Sequence, residues 1–246
     1  MTILEVTILG LLAGTLGTGL GGVVALVMAR ITPVHISTLL GLAAGIMIAV
    51  VTFELLPEAL ENGGMLTGIA GLLIGVFLMA LIDRVFPHYH MFGDHENSAF
   101  LKTGVIMGLG IAMHNLPEGL AIGIGGIHSP ATGIALAIVI ALHNIPEGMA
   151  MAFPLKAGKV KSYKIILSVM AVGIPMGIGA FLGGLAGTIS PAFNSVFLGL
   201  AAGAMLFITF DELVPQTERL AVGHSGTYGI VAGVIAGIVM LALLPH

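Results

Sequence analysis

Two blocks of the sequence, HNLPEG at 114–119 and HNIPEG at 143–148, carry residue types that bind and exchange divalent cations. In each block His and Glu stand four residues apart, which places them on one face of a helix about 6 Å of rise from each other. Pro117 lies between the first pair and cannot donate a backbone hydrogen bond, so it frees the Met113 carbonyl and bends the helix; Pro146 repeats the arrangement. His114, Glu118, His143 and Glu147 can therefore converge on one point, and tetrahedral zinc accepts such N/O ligands at about 2.0–2.2 Å. Asn115 and Asn144 can add an amide oxygen or hold a ligand in place. The chain has no Cys, which excludes thiolate metal sites and disulfides and favours borderline or harder divalent ions over Cu(I).

The elements that must position these residues are membrane helices. The chain is 57% apolar and only 8% charged, with a mean hydropathy of +1.12, whereas soluble domains are roughly 25% charged. Too few ionic groups remain to cover a water-exposed surface. A net charge of -4 gives no basis for binding nucleic acid. A span needs roughly 20 apolar residues, and that ruler predicts an all-α polytopic protein in the lipid bilayer. Its eight spans fall near 4–29, 36–57, 65–86, 99–125, 130–154, 163–188, 193–217 and 226–244 of a single transmembrane domain. The first is expected to be retained, because no basic stretch precedes it. With eight spans, Arg30, Arg84, Lys102, Lys156, Lys159, Lys161, Lys164 and Arg219 all fall on one side. That side is expected to be cytoplasmic, leaving both termini outside a cell membrane, the inner membrane in a bacterium.

Both motif histidines fall near mid-span, where an ionisable side chain is costly and usually functional. One such His is more often simply packed; two copies with the same His/Glu spacing point to a metal. No Lys or Arg is predicted in the membrane interior to neutralise the carboxylates, so the countercharge is a proton or a cation, and the two compete.

The chain also repeats itself. GLAAGIMIAVVTFELLP at 41–57 matches GLAAGAMLFITFDELVP at 199–215 without a gap, on spans that cross in opposite directions. Inverted repeats with broken helices are a signature of secondary transporters. The repeat pairs Glu54 with Glu212, read as acidic stations on either side of the central site, with Glu58 and Asp211 as neighbours. Interfacial carboxylates satisfied by water are the plainer alternative. His88, His90 and His95, with Asp94 and Glu96, make a loose cluster in the loop 87–98 that is expected to contact metal on the cytoplasmic side; an ordinary solvated loop explains it nearly as well. Gly229, Gly233 and Gly237 form a small-residue stripe that reads first as a seam within the protomer, with a homodimer face as the alternative.

The paired HNxPEG motifs on the fourth and fifth of eight spans, with a His-bearing loop after the third, resemble the ZIP family of metal transporters, closest to its bacterial branch. The resemblance covers essentially the whole chain. It implies a 3+2+3 arrangement with inverted outer repeats, and uptake into the cytoplasm of zinc foremost, or of iron, manganese, cobalt or cadmium. It maps the central ligands onto His114, Asn115, Glu118, His143, Asn144 and Glu147. Some members hold two metals through further acidic groups, at positions occupied here by Asn144 and Met176. This departure implies one principal metal, with Asn115, Asn144 and Met176 as a weaker second set. The expected mechanism is alternating access, in which glycine-rich surfaces let one helix group slide on another. The competing classes are a membrane-embedded zinc hydrolase, which would need a further acid or base beside the ligands, and a metal-gated channel or receptor.

Overall fold

The computed structural model describes residues 1–28, 32–85 and 96–243. His88, His90, Asp94 and His95 lie outside the described residues. Eight helices long and apolar enough to cross a membrane are found among them. They are α1 (Ile3–Val27), α2 (Pro33–Gly63), α3 (Met65–Val85), α4 (Glu96–His128), α5 (Pro130–Ala157), α6 (Ser162–Gly187), α7 (Pro191–Leu220) and α8 (Ser225–Leu243). Three spans begin on the same local signal. Thr32, Ser129 and Ser190 each cap a helix with a side-chain oxygen that accepts a backbone N–H, and each is followed by proline. The hydroxyl satisfies a donor that the first turn leaves orphaned, and proline has no N–H to orphan.

Spans α2 and α7 run a few residues past the expected ends near 57 and 217 and continue beyond Pro57 and Pro215. The reason is a five-residue π-helical turn in each, Val51–Leu55 and Thr209–Leu213. Pro57 and Pro215 follow directly, at the start of the α-helix that resumes. A proline in a continuous α-helix clashes with the carbonyl four residues back, and the wider turn removes that conflict without ending the helix. The two π-turns occupy matching positions of the repeat. By contrast α6 is interrupted at Val172–Gly173, just before Pro175.

The helices sort into two groups of four. Spans α1, α4, α5 and α6 pack closely together, as do α2, α3, α7 and α8. The packing obeys the inverted repeat: α2 lies on α8 as α7 lies on α3, and α1 lies on α5 as α6 lies on α4. Glycines make these seams. A Cβ on Gly45 would meet the Ile230 carbonyl at 2.1 Å, and one on Gly203 would meet the Leu72 carbonyl at 2.1 Å. In the other group Gly119 sits against the Met176 carbonyl and Gly148 against the Thr18 carbonyl, at 2.0 and 2.1 Å. Only a residue without a side chain permits such backbone approach. The stripe Gly229, Gly233 and Gly237 on α8 likewise faces α2 of the same chain.

Two buried serines clasp the second group. The Ser37 hydroxyl at the start of α2 donates to the Thr217 carbonyl near the end of α7, at 2.9 Å. Its counterpart Ser195 at the start of α7 donates to the Ala59 carbonyl near the end of α2, at 2.6 Å. Between the groups apolar side chains pack on one another, and the Asn194 side chain of α7 donates to the Gly187 carbonyl of α6 at 3.3 Å. The interface includes Leu40, Met47 and Val50 of α2, Leu120 of α4, Ile140 of α5 and Met205 of α7. The glycine surfaces thus lock helices inside each group, because that is where backbone meets backbone. The close glycine contacts named above are therefore seams within a group.

Candidate metal centre

The two HNxPEG blocks lie on adjacent antiparallel helices, and the structure brings them together in the interior. His114, Asn115, Glu118, His143, Asn144 and Glu147 are all buried, none more than 3% exposed. Glu118, His143 and Glu147 each offer a ligand atom within 4.8 Å of the others. The imidazole of His143 meets Glu118 directly, Nε2 to Oε1 at 2.9 Å. His114 is oriented from its other side: its Nδ1 lies 2.5 Å from the Gly110 carbonyl. A carbonyl can only accept, so Nδ1 carries the proton and Nε2 keeps its lone pair, the arrangement that metal-binding histidines use.

The polar atoms left over are informative. His114 Nε2, Glu118 Oε2 and both oxygens of Glu147 are buried without a hydrogen-bond partner. Buried polar groups are normally satisfied, and the sequence from 103 to 155 contains no Lys or Arg. A group of lone pairs and carboxylates on helices without Lys or Arg at this depth fits a divalent cation.

The asparagines serve differently. Asn115 Nδ2 donates to the Val172 carbonyl at 2.8 Å, an acceptor freed by the break in α6, and Asn115 Oδ1 accepts from Asn144 Nδ2 at 3.3 Å. Asn144 Oδ1 has no partner. Met176 is buried where its backbone presses on Gly10 of α1 and Gly119 of α4. Nothing in the sequence pointed to Asn115 tying the site to α6, since the bond depends on where that helix breaks.

The acidic stations are unequal. Asp211 and Glu212 line a narrow cleft of ≈ 60 Å³ together with His114 and Glu147. The cleft shares Ile106, Met107, Ala150 and Gln216 with a larger vestibule of ≈ 820 Å³ that reaches Lys156 and Arg219. Lys156 caps the end of α1 there, donating to the carbonyls of Ala25, Leu26 and Met28 at 2.9–3.0 Å. Glu54 and Glu58 are half-buried on α2 and line neither cavity. Glu58 Oε2 is buried without a partner. His224 is exposed in the turn before α8.

Residues 87–246 match the family model described as ZIP Zinc transporter. The chain belongs to the ZIP family. It is 35% identical over 263 residues to a protein of Akkermansia muciniphila named zinc transporter ZupT, covering 97% of both chains. The ZupT proteins of Corynebacterium aurimucosum and Streptococcus mutans are 34% and 33% identical, over 95% and 96% of this chain and 94% and 96% of their own. ZIP proteins are metal transporters rather than enzymes. With eight apolar spans and bacterial relatives of nearly the same length, this ZIP chain is a multi-pass cell-membrane protein.

Proposed function

We propose that the protein carries a divalent transition-metal ion, zinc foremost, into the cytoplasm by alternating access. The ion is held midway by His114, Glu118, His143 and Glu147, with Asn115 and Asn144 beside it. The observation that carries this reading is the group of unpartnered nitrogen and carboxylate atoms on α4 and α5, buried with no basic residue on either helix between 103 and 155. Similarity to proteins named zinc transporter supports zinc as the cargo; iron, manganese, cobalt and cadmium suit the same donors less specifically. The hydrolase alternative loses its support from the family, and a metal-gated channel would differ from a carrier in not saturating.

The ion enters past Glu54 and Glu58, exchanges water for the four ligands, and leaves through the cleft beside Asp211 and Glu212. The lysine- and arginine-bearing end is cytoplasmic in this reading and both termini are outside, so the vestibule faces the cytoplasm. His88, His90 and His95 then stand on the receiving side. Movement of the α1/α4/α5/α6 group against the other, along their side-chain interface, would exchange access. Zinc uptake into dye-loaded proteoliposomes tests the ligand set. Glu118→Ala and Glu147→Ala should each lose saturable uptake by at least about 100-fold, the scale of losing a metal-site group; unchanged uptake in either would overturn it.

A further inference from the structure

We propose that Gly110 is a positioning residue for metal release: its missing side chain lets Glu212 reach across from α7 to lie beside His114. The inference rests on the ligand set and exit route just proposed. A Cβ built on Gly110 would stand only 2.7 Å from Glu212 Oε2, closer than nonbonded atoms tolerate, and 3.9 Å from His114 Cε1. The Glu212 carboxylate therefore occupies the space that any other residue at 110 would fill. Gly110 also contributes its carbonyl to His114 Nδ1, so the residue that orients the imidazole is the one that makes room for the acid.

Gly110 differs from the seam glycines in two ways. At Gly45, Gly119 and Gly203 the obstacle to a side chain is a backbone carbonyl of another helix, so the whole seam would have to part. At Gly110 it is the far end of a flexible side chain, so alanine displaces the carboxylate and leaves the helices in place. The second concerns the other motif. The residue four before His143 is Val139, which is fully buried. The first motif thus lacks a side chain at the position where the second carries one, and the first is the one beside the cleft. An ion leaving His114 and Glu147 meets the Glu212 oxygen within the same narrow cleft and exchanges one carboxylate for another without full rehydration. With Glu212 pushed aside, that exchange is lost while the four central ligands stay put.

The test is a double-mutant cycle in zinc proteoliposomes, with equilibrium zinc binding and thermal unfolding measured on the same purified proteins. Gly110→Ala should lower turnover about tenfold while zinc affinity stays within about twofold and the unfolding temperature is unchanged. In a Glu212→Asp background, where the acid is one methylene shorter, adding Gly110→Ala should cost about twofold or less. Turnover of Gly110→Ala equal to wild type would overturn the proposal. So would equal losses in both backgrounds, or a loss accompanied by a lowered unfolding temperature. Glu118→Ala is measured alongside: uptake retained there would instead remove the ligand set itself, and this inference with it.

Discussion

The two ends of the molecule are built from one pattern and do different things. Glu54 and Glu212 occupy matching positions in matching π-turns, ahead of Pro57 and Pro215. Their helices pack on equivalent neighbours through equivalent glycines and are closed by equivalent serine clasps. Yet Glu212 lines a cleft that meets His114 and Glu147, and Glu54 does not. The difference therefore does not lie in the repeats. One difference lies on the central helices: Glu212 comes against Gly110 on α4, and the matching position of the second motif on α5 is Val139. The symmetric part forms a frame, and the asymmetry is a property of the α4/α5 face that the frame surrounds.

The symmetric frame should be the most sensitive to substitution. Gly45→Ala and Gly203→Ala each force a methyl against a carbonyl across a seam, so both should destabilise by about 3 kcal/mol or more, to similar extents. Thermal unfolding in detergent measures this; a large loss at one position with none at the other would deny that the halves are equivalent. The asymmetric part is sharpened by Glu212→Gln and Glu54→Gln. The first should cut maximal zinc uptake roughly tenfold, while the second should raise the apparent KM about threefold and leave the maximal rate near wild type. Equal effects would mean that the cleft beside Glu212 carries no weight in the cycle. Smallest should be the clasps: Ser37→Ala and Ser195→Ala remove one buried hydrogen bond each, and both should lower stability by about 1 kcal/mol.

Much of this was legible in the sequence because the signals were redundant. Eight spans followed from length and apolarity, the inverted repeat from a gapless match, and the central residues from two copies of one motif. What escaped depends on how elements meet. That a π-turn precedes Pro57 and Pro215 and lets each helix continue needs the backbone, although the shared Glu-Leu-x-Pro order was a hint. The break in α6 had a signal in Gly173 and Pro175, but Asn115 closing on Val172 had none. Gly110 was visible as the glycine four before His114, opposite a valine in the second motif; its meaning required Glu212 to arrive from α7. Counting glycines likewise gave no way to tell seams inside a group from surfaces between groups.

The serine clasps carry a consequence for biosynthesis. Ser37 and the Thr217 carbonyl are 180 residues apart in the chain, and Ser195 reaches back 136 residues to Ala59. At the usual ribosomal pace of about 5–20 residues per second, α2 waits roughly ten to forty seconds in the bilayer for its partner. During that interval α2 has α3 and α5 to pack against, but not the helix that its clasps reach. The last spans to leave the ribosome, α7 and α8, are the ones that close the frame.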